Sequence, residues 1–187
     1  MSNSVPLIEI TAKDFNVDIE IRYATKNNFT GQPVYAAPKC YLHEVAAEHL
    51  RKAVAIAGAL GYRFRIYDAY RPTEAQWKLW NHTPDPDFLA DPKRGSPHSR
   101  GVAIDLTLED LKGNILDMGT EFDAFTPLSY HANLEVPAEA QKNRILLLGI
   151  MSAAGWDFYS KEWWHYQLFN ARAFPLWGDK EAGLGMM

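Results

Sequence analysis

The sequence predicts an α+β fold in a single domain that covers residues 1–187, and three observations lead to this prediction. Stretches of period 2, typical of strands, are mixed with stretches of helical period in no regular βαβ order. A chain of 187 residues has the size of one domain, and it carries no internal repeat or Gly/Ser linker. Its content of 47% hydrophobic and 22% charged residues is typical of a compact globular protein.

The N-terminal third contains one strand pattern, one loop and one long helix pattern. Apolar and polar residues alternate over 17–23, which predicts a half-buried strand, and the stretch 24–40 with its glycine and prolines predicts a loop. From Leu42 to Leu60 apolar residues recur at helical spacing. Gly61 then suits a left-handed cap that ends this helix.

A second alternating stretch begins at Phe64 and ends in the sequence Tyr-Asp-Ala-Tyr-Arg over 67–71. Pro72 suits the first position of a helix that reaches about Trp80, because proline lacks the N–H that this position leaves unpaired. We therefore expect Arg71 to lie at a strand-to-helix junction.

The prolines and glycine of 82–97 predict a long loop, and loops of that length usually have a function or are mobile. A strand follows over 102–108. Its even-numbered residues are Val, Ile, Leu and Leu, so Asp105 is expected on the opposite, polar face.

The C-terminal third begins with a turn at 112–114. A helix is then predicted from Pro137 to a cap at Gly155, with Ile145, Leu148 and Met151 in its apolar set. The aromatic-rich stretch 156–169 favours a strand or hairpin packed in the core.

Charge and cysteine content exclude several classes of protein. With 19 basic and 23 acidic residues the net charge is −4, which disfavours binding to nucleic acids or anionic membranes. Cys40 is the single cysteine and cannot form an internal disulfide, and the first residues resemble no export signal, so we expect a cytoplasmic protein. The longest nearly apolar stretch, 145–156, is too short to span a bilayer.

Two histidines and an aspartate stand out as candidate metal ligands. His98 closes the loop before the strand that carries Asp105, and His165 lies in the aromatic segment. Two imidazoles and one carboxylate leave a divalent ion with an open position, as in catalytic zinc sites. A water molecule could bind there.

Glu162 precedes His165 by three residues and could serve that water as a general base. In a regular strand these two side chains would face opposite sides, so we predict a short turn or bulge at 162–164. Taken alone, the same segment favours an aromatic core strand with two polar edge residues.

Arg71 has two interpretations. Most arginines in such a position form a surface ion pair, here with Asp68 or Glu74, that adds little stability. Alternatively, its planar, permanently charged guanidinium points to an oxyanion that develops on a substrate carbonyl.

The motifs together resemble the D-alanyl-D-alanine dipeptidases, which include enzymes of vancomycin resistance. They appear in the same order over most of the chain: Y-A-T-x-x-N-F-T-G at 23–31, Y-D-A-Y-R-P at 67–72, S-x-H-S-R-G-x-A-I-D-L-T-L at 96–108 and E-W-W-H at 162–165. The resemblance implies a small α+β domain with an antiparallel-rich central sheet and flanking helices, shared with D,D-carboxypeptidases and the Hedgehog signalling domain. It also implies hydrolysis of D-Ala-D-Ala to two D-alanines in cell-wall metabolism.

Roles for individual residues follow from the same resemblance. It implies one zinc ion per chain and a general base at Glu162, with Arg71 stabilising the oxyanion. Substrate contacts are implied for Ser96 and Tyr23, and for Asp123 as the partner of the free amine, with Asp117 as a nearby competitor for that role. The implied zinc ligands are His98, Asp105 and His165.

Three other functions compete with this interpretation. A peptidase of longer cell-wall peptides, such as a D,D-carboxypeptidase or an L,D-endopeptidase, would use the same zinc chemistry. Two histidines and an aspartate also hold iron(II) in oxygenases. A non-catalytic zinc-binding domain of the Hedgehog kind would need neither Glu162 nor Arg71. The sequence leaves open the oligomeric state and the choice among antibiotic resistance, D-alanine scavenging and wall recycling.

Overall fold

The structure is a computed structural model that describes residues 5–187. It has a five-stranded sheet, a separate two-stranded ribbon and helices packed on the sheet. In chain order the elements are β1 Leu7–Glu9, α1 Ala12–Phe15, β2 Asp18–Ile19, β3 Tyr41–His43, α2 Glu44–Ala59, β4 Tyr62–Asp68, α3 Thr73–His82, β5 Ala103–Asp110, α4 Ala138–Ala153, β6 Trp156–Phe158, β7 His165–Leu168 and α5 Asp179–Ala182.

The large sheet has the strand order β2-β4-β5-β7-β6. Only the short edge pair β2–β4 is parallel, and the other three pairs are antiparallel. Helices α2 and α4 contact each other as well as the sheet, α2 at β4 and α4 at β5 and β6, so both lie on the same face. The predicted α+β architecture with an antiparallel-rich sheet is therefore confirmed.

Strand register brings polar side chains together at the centre of the sheet. Asp105 of β5 pairs directly with His165 of β7 on one side and with Asp68 of β4 on the other. Directly paired residues of neighbouring strands point to the same face, with Cβ atoms roughly 5 Å apart. A register irregularity between Ile66 and Asp68 shifts the end of β4 and places Asp68, not Tyr67, opposite Asp105.

Two boundaries in the N-terminal third differ from the prediction. The strand expected over 17–23 is limited to Asp18–Ile19, because a 3₁₀ turn begins at Arg22, although Tyr23 is still buried. The helix expected from Leu42 begins at Glu44, because residues 41–43 pair with β1 as a strand. It ends as predicted, with Gly61 in a left-handed conformation at φ +82°.

The predicted apolar face of α4 needs a correction. Met151 is buried and Leu148 is partly buried, as predicted, but Ile145 is 67% exposed. The buried side of this helix also carries Arg144, whose guanidinium donates hydrogen bonds to the backbone carbonyls of Met118, Leu128 and Tyr130. The buried face of α4 thus includes a charged residue, which hydrophobic spacing does not reveal.

The other predicted elements are present. Residues 83–97, all of them described, contain no helix or strand, and Gly113 makes the turn after β5 at φ +85°. The aromatic segment forms the antiparallel hairpin of β6 and β7. None of the helices that the structure describes has the length and apolar character that crossing a membrane requires.

Candidate metal and catalytic site

Three predicted metal ligands converge in the structure. His98 lies in a 3₁₀ turn just before β5, Asp105 lies within β5, and His165 begins β7. His98 Nε2 lies 3.3 Å from Asp105 Oδ1, and His165 Nδ1 lies 3.1 Å from both of these atoms. All three residues are buried.

The spacing and chemistry of these atoms fit a zinc ion. Four ligands at 2.0–2.1 Å from zinc in tetrahedral geometry lie about 3.3 Å from one another. The triangle of 3.1, 3.1 and 3.3 Å formed by the two imidazole nitrogens and the carboxylate oxygen is close to one face of such a tetrahedron. All three residues also line a cavity, which would leave a bound zinc ion room for a water molecule or a substrate, as catalytic zinc sites require.

Hydrogen bonds on the far side of each imidazole fix its orientation. His98 Nδ1 lies 2.7 Å from the backbone carbonyl of Ala69, and His165 Nε2 lies 3.1 Å from Oε1 of Gln167. A carbonyl oxygen can only accept, so the outer nitrogen of His98 donates and its Nε2 is left as a bare electron pair toward the site. The amide oxygen of Gln167 accepts from Nε2 of His165 in the same way, which leaves Nδ1 of His165 as the bare electron pair toward the site.

Asp105 carries the negative charge of this cluster. Burial acts to raise its pKa, but the imidazoles of His98 and His165 outweigh burial and hold the pKa below the usual range of an aspartate. Asp105 is therefore ionised in the form that binds a cation.

Glu162 lies beside the ligand cluster without belonging to it. The chain turns at Trp163–Trp164, as predicted, so that Glu162 and His165 face the same cavity, with Glu162 Oε2 3.9 Å from His165 Nδ1. Burial, together with the carboxylates of Asp105 and Asp123, raises the pKa of Glu162 well above its usual range. A carboxyl group of this kind can accept a proton and keep it near neutral pH.

Arg71 is a buried residue, so the interpretation as a surface ion pair is wrong. Its Nε and Nη2 lie 2.9 Å from Oδ2 of Asp68, its Nη1 donates to Gln76 at 2.9 Å, and its Nη2 lies 3.6 Å from Oδ2 of Asp105. Asp68 also accepts a hydrogen bond from the hydroxyl of Tyr35 at 2.8 Å. The guanidinium is thus held rigidly beside the metal ligands.

Tyr23 and Asp123 form one side of the site. The Tyr23 hydroxyl donates to Asp123 Oδ2 at 2.7 Å, and Asp123 has a left-handed backbone with φ +61°. Burial raises the pKa of Asp123 to about 7, against the opposing hydrogen bond from Tyr23. The competitor Asp117 does not line this cavity and instead accepts the backbone N–H of Gly119 at 2.8 Å.

Ser96 is buried at the end of the long loop. Its Oγ accepts the backbone N–H of His98 at 3.2 Å, which leaves the hydroxyl hydrogen free to donate to a ligand. The bond also ties Ser96 to a candidate metal ligand two residues away.

The site residues surround one cavity of 210 Å³. The loop 83–97 covers it, and Asp87 fastens the loop to the opposite wall through an ion pair with Lys161 and a hydrogen bond from the Tyr159 hydroxyl to its carbonyl at 3.0 Å. The cavity holds every site residue that the sequence predicts: Tyr23, Arg71, Ser96, His98, Asp105, Asp123, Glu162 and His165.

Sequence reasoning missed three supporting residues. Gln167 could have been found, because it lies two residues after His165 on the same strand and so on the same face. Asp68 was considered only as a surface partner of Arg71, and its burial was not foreseen. No sequence signal indicates Gln76, which reaches Arg71 from α3.

Comparison with known proteins identifies a family for this chain. A profile of the M15 peptidases, described as D-ala-D-ala dipeptidase, matches residues 3–177. The chain is 44% identical over 180 residues to a D-alanyl-D-alanine dipeptidase of Escherichia coli (strain K12), covering 96% of this chain and 93% of the relative. A D-alanyl-D-alanine dipeptidase of Enterococcus faecium is 36% identical over 170 residues, covering 80% of this chain and 84% of the relative.

Among solved structures, the zinc complex of the vancomycin-resistance D,D-pentapeptidase VanY has a TM-score of 0.48 and 15% identity, covering 88% of this chain and 85% of its own. The profile match and the two curated relatives extend over most of the chain. On this basis the chain belongs to the D-Ala-D-Ala dipeptidase family of the M15 peptidases.

Proposed function

We propose that this protein is a zinc-dependent dipeptidase that hydrolyses D-Ala-D-Ala to two D-alanines. One observation carries the proposal: two imidazole nitrogens and a carboxylate oxygen converge at 3.1–3.3 Å beside a buried glutamate that is not one of them. That arrangement matches the requirements of metal-assisted hydrolysis. Membership in the family supports the choice of substrate.

His98, Asp105 and His165 would hold the zinc ion, one per chain. When bound there, zinc supplies Lewis acidity that polarises the scissile carbonyl and lowers the pKa of a water molecule. The outer contacts of the two imidazoles, to the carbonyl of Ala69 and the amide of Gln167, keep both ligands in the required tautomer.

Glu162 acts as the general base in this proposal. Its carboxylate takes the proton from the attacking water and transfers it to the departing amine as the C–N bond breaks, so that one proton moves twice through the same group. The raised pKa of Glu162 suits this relay, because the carboxyl must hold the proton between the two transfers.

Arg71 stabilises the oxyanion that forms on the carbonyl. A guanidinium has five N–H donors, and its bonds to Asp68 and Gln76 leave further donors for the substrate. Because these bonds fix the guanidinium beforehand, little reorganisation is needed when the charge develops.

The two charged ends of a dipeptide have suitable partners in the cavity. Asp123, oriented by Tyr23, would pair with the ammonium, and the Ser96 hydroxyl would donate to the carboxylate. Burying both charges is costly unless each is paired. The cavity of 210 Å³ beneath the loop 83–97 favours a dipeptide over a longer chain.

The test is incubation of the purified, zinc-loaded protein with D-Ala-D-Ala, with L-Ala-L-Ala and with a longer peptide that ends in D-Ala-D-Ala. Cleavage of the first substrate alone is expected. Release of D-alanine from the longer peptide at a comparable rate would favour a D,D-carboxypeptidase instead. No cleavage of any peptide would favour the non-catalytic zinc-binding domain or the oxygenase.

We also propose that the protein acts in the cytoplasm. Its single cysteine, Cys40, is buried and unpaired, as is usual in a reducing compartment. Immunodetection in cell fractions tests this location.

A further inference from the structure

A groove lined by three arginines lies beside the catalytic cavity. It has a volume of 800 Å³, and Arg94, Arg100 and Arg172 line it. The groove and the cavity adjoin along five residues that line both: Pro86, Leu89, Ala90, Pro97 and Gln167.

Arginines outnumber acidic residues three to one in the lining of this groove. Among the residues that the structure describes, no ion pair includes any of the three arginines. Asp91 is the acidic residue among the described lining, and its Oδ1 accepts the backbone N–H of Lys93 at 2.9 Å. Burial and the nearby Arg172 lower the pKa of Arg100, which shows that the two cations repel each other. An anion would relieve this repulsion.

Arg100 is held in place for such an anion. Its Nη1 donates to the backbone carbonyl of Phe174, which uses one of five donors. Its Nη2 lies over Gly95, where a Cβ atom would come within 2.9 Å of this nitrogen and where φ is +81°. A side chain at position 95 would therefore displace the guanidinium.

The groove adjoins one end of the site only. Tyr23 and Asp123 line the cavity but not the groove, whereas Ser96 stands between Gly95 and Pro97, which both line the groove. In the proposed function, on which this inference rests, the ammonium is at Asp123 and the carboxylate is near Ser96. The C-terminal residue of the substrate then lies next to the arginines.

We propose that the arginine groove is a subsite for the side chain of the substrate's C-terminal residue and that it selects an acidic side chain there. The substrate class is a dipeptide of D-alanine followed by an acidic D-residue, such as D-Ala-D-Glu. D-Ala-D-Ala leaves the groove empty and D-Ala-D-Glu places its side-chain carboxylate among the arginines.

The test compares kcat/KM for D-Ala-D-Glu, its uncharged isostere D-Ala-D-Gln and D-Ala-D-Lys. We expect D-Ala-D-Glu to exceed D-Ala-D-Gln by about fivefold at low salt, with D-Ala-D-Lys the poorest, because a partly exposed charge pair gives about this factor. The preference should shrink at 1 M salt, where the screening length is about 3 Å.

Variants of the three arginines test whether the groove causes the preference for D-Ala-D-Glu over D-Ala-D-Gln. R172Q and R94Q change exposed side chains and should each lower the preference for D-Ala-D-Glu, and R100Q should lower it further. K142Q, which removes one charge from a side chain that is 74% exposed on α4, should preserve the preference. Equal kcat/KM for D-Ala-D-Glu and D-Ala-D-Gln in the unmodified protein, or an undiminished preference in the triple variant R94Q/R100Q/R172Q, would overturn the proposal.

A binding measurement separates this proposal from the proposed function. Calorimetry with zinc-loaded E162Q gives Kd for the same dipeptides without turnover, and tighter binding of D-Ala-D-Glu than of D-Ala-D-Gln is expected. If D-Ala-D-Ala is not hydrolysed by the unmodified protein, the proposed function fails, and the calorimetric comparison still decides whether the groove selects an acidic ligand.

Discussion

Nη1 of Arg71 donates a hydrogen bond of 2.9 Å to the side-chain oxygen of Gln76. The amide nitrogen of the same Gln76 donates to the backbone carbonyl of Ala90 at 2.7 Å. One buried side chain on α3 therefore connects the candidate oxyanion-stabilising group to the loop that covers the cavity. Asp68 holds the other edge of the guanidinium, so Gln76 determines whether Arg71 is fixed at one edge or at two.

Replacing Gln76 by leucine should lower kcat about tenfold with a smaller change in KM, because Arg71 would keep one anchor and lose the preorganisation that stabilises developing charge. Arg71→Lys alone should cost on the order of 10²-fold, since lysine lacks the planar donors. In the double variant the two losses should not add if both act through the guanidinium. The measurement is kcat and KM of the unmodified protein, the two single variants and the double variant.

Gln141→Leu on α4 is the matched control, because its amide binds the carbonyl of Asn133 and does not line the cavity. It should leave kcat unchanged. Fully additive losses for Gln76→Leu and Arg71→Lys would show that Gln76 does not act through Arg71.

Zinc binding should require both candidate histidines. Elemental analysis of the purified protein should give close to one equivalent of zinc, and His98→Ala and His165→Ala should each lower the zinc content sharply, because each removes one of three protein ligands. His82→Ala is the control, since His82 lies at the exposed end of α3. Full zinc content in both ligand variants would contradict the assignment.

Glu162→Gln should keep zinc and the fold while lowering kcat by about 10²–10⁴-fold, the usual effect of losing a positioned proton-transfer group. The amide has the shape of the carboxylate but cannot accept the proton. Zinc content and circular dichroism should match the unmodified protein. Loss of zinc in this variant would place Glu162 among the ligands.

Much of the site could be predicted because its signals are local. The position of Asp105 follows from the alternation of its strand, and the turn before His165 follows from the three-residue spacing to Glu162. Long-range partners leave no such signal. Arg144 is buried and donates to three backbone carbonyls between Met118 and Tyr130, whereas the apolar Ile145 beside it is exposed.

The predicted start of α2 and the predicted extent of the strand over 17–23 were wrong for a related reason. Leu42 fits the apolar period of α2, but the backbone around it pairs with β1, whose residues lie more than thirty positions away. Hydrophobic spacing detects which face is buried, not which backbone partner is available. The predicted strand over 17–23 shows the same limit, since Tyr23 is buried without belonging to the sheet.

The stability of the zinc-free protein should depend on Asp123. Burial raises its pKa to about 7 in the folded state, against roughly 3.9 in an unfolded chain. Between these values the folded state binds more protons than the unfolded state, so the free energy of unfolding falls as the pH rises from about 4 to 7, by at most about 4 kcal/mol.

Asp123→Asn removes that contribution and should flatten the decline over this pH range in urea unfolding of the zinc-free protein. Asp117→Asn changes an exposed carboxylate on the neighbouring loop and should leave the decline in the free energy of unfolding unchanged. A decline that is as steep in Asp123→Asn as in the unmodified protein would show that Asp123 is not a buried ionisable group.

The free amine of the substrate should be needed for efficient hydrolysis. If Asp123 neutralises the ammonium in a poorly hydrated pocket, acetylation removes the positive charge, adds bulk and leaves the carboxylate without its partner. Deleting one member of a buried charge pair costs several kcal/mol. Since 1.36 kcal/mol is tenfold in rate, N-acetyl-D-Ala-D-Ala should be hydrolysed with at least about 10²-fold lower kcat/KM than D-Ala-D-Ala.

Two variants test whether Asp123 causes the difference in kcat/KM between the free and the acetylated dipeptide. Asp123→Asn should shrink the gap between the two substrates, mainly by impairing the free dipeptide, because the amide no longer attracts an ammonium. Asp117→Asn should keep the gap, since that residue does not line the cavity. Similar kcat/KM for both substrates in the unmodified enzyme would contradict a pocket that is closed around the free ammonium at Asp123. It would favour a carboxypeptidase, in which the residue before the scissile bond is part of a longer chain.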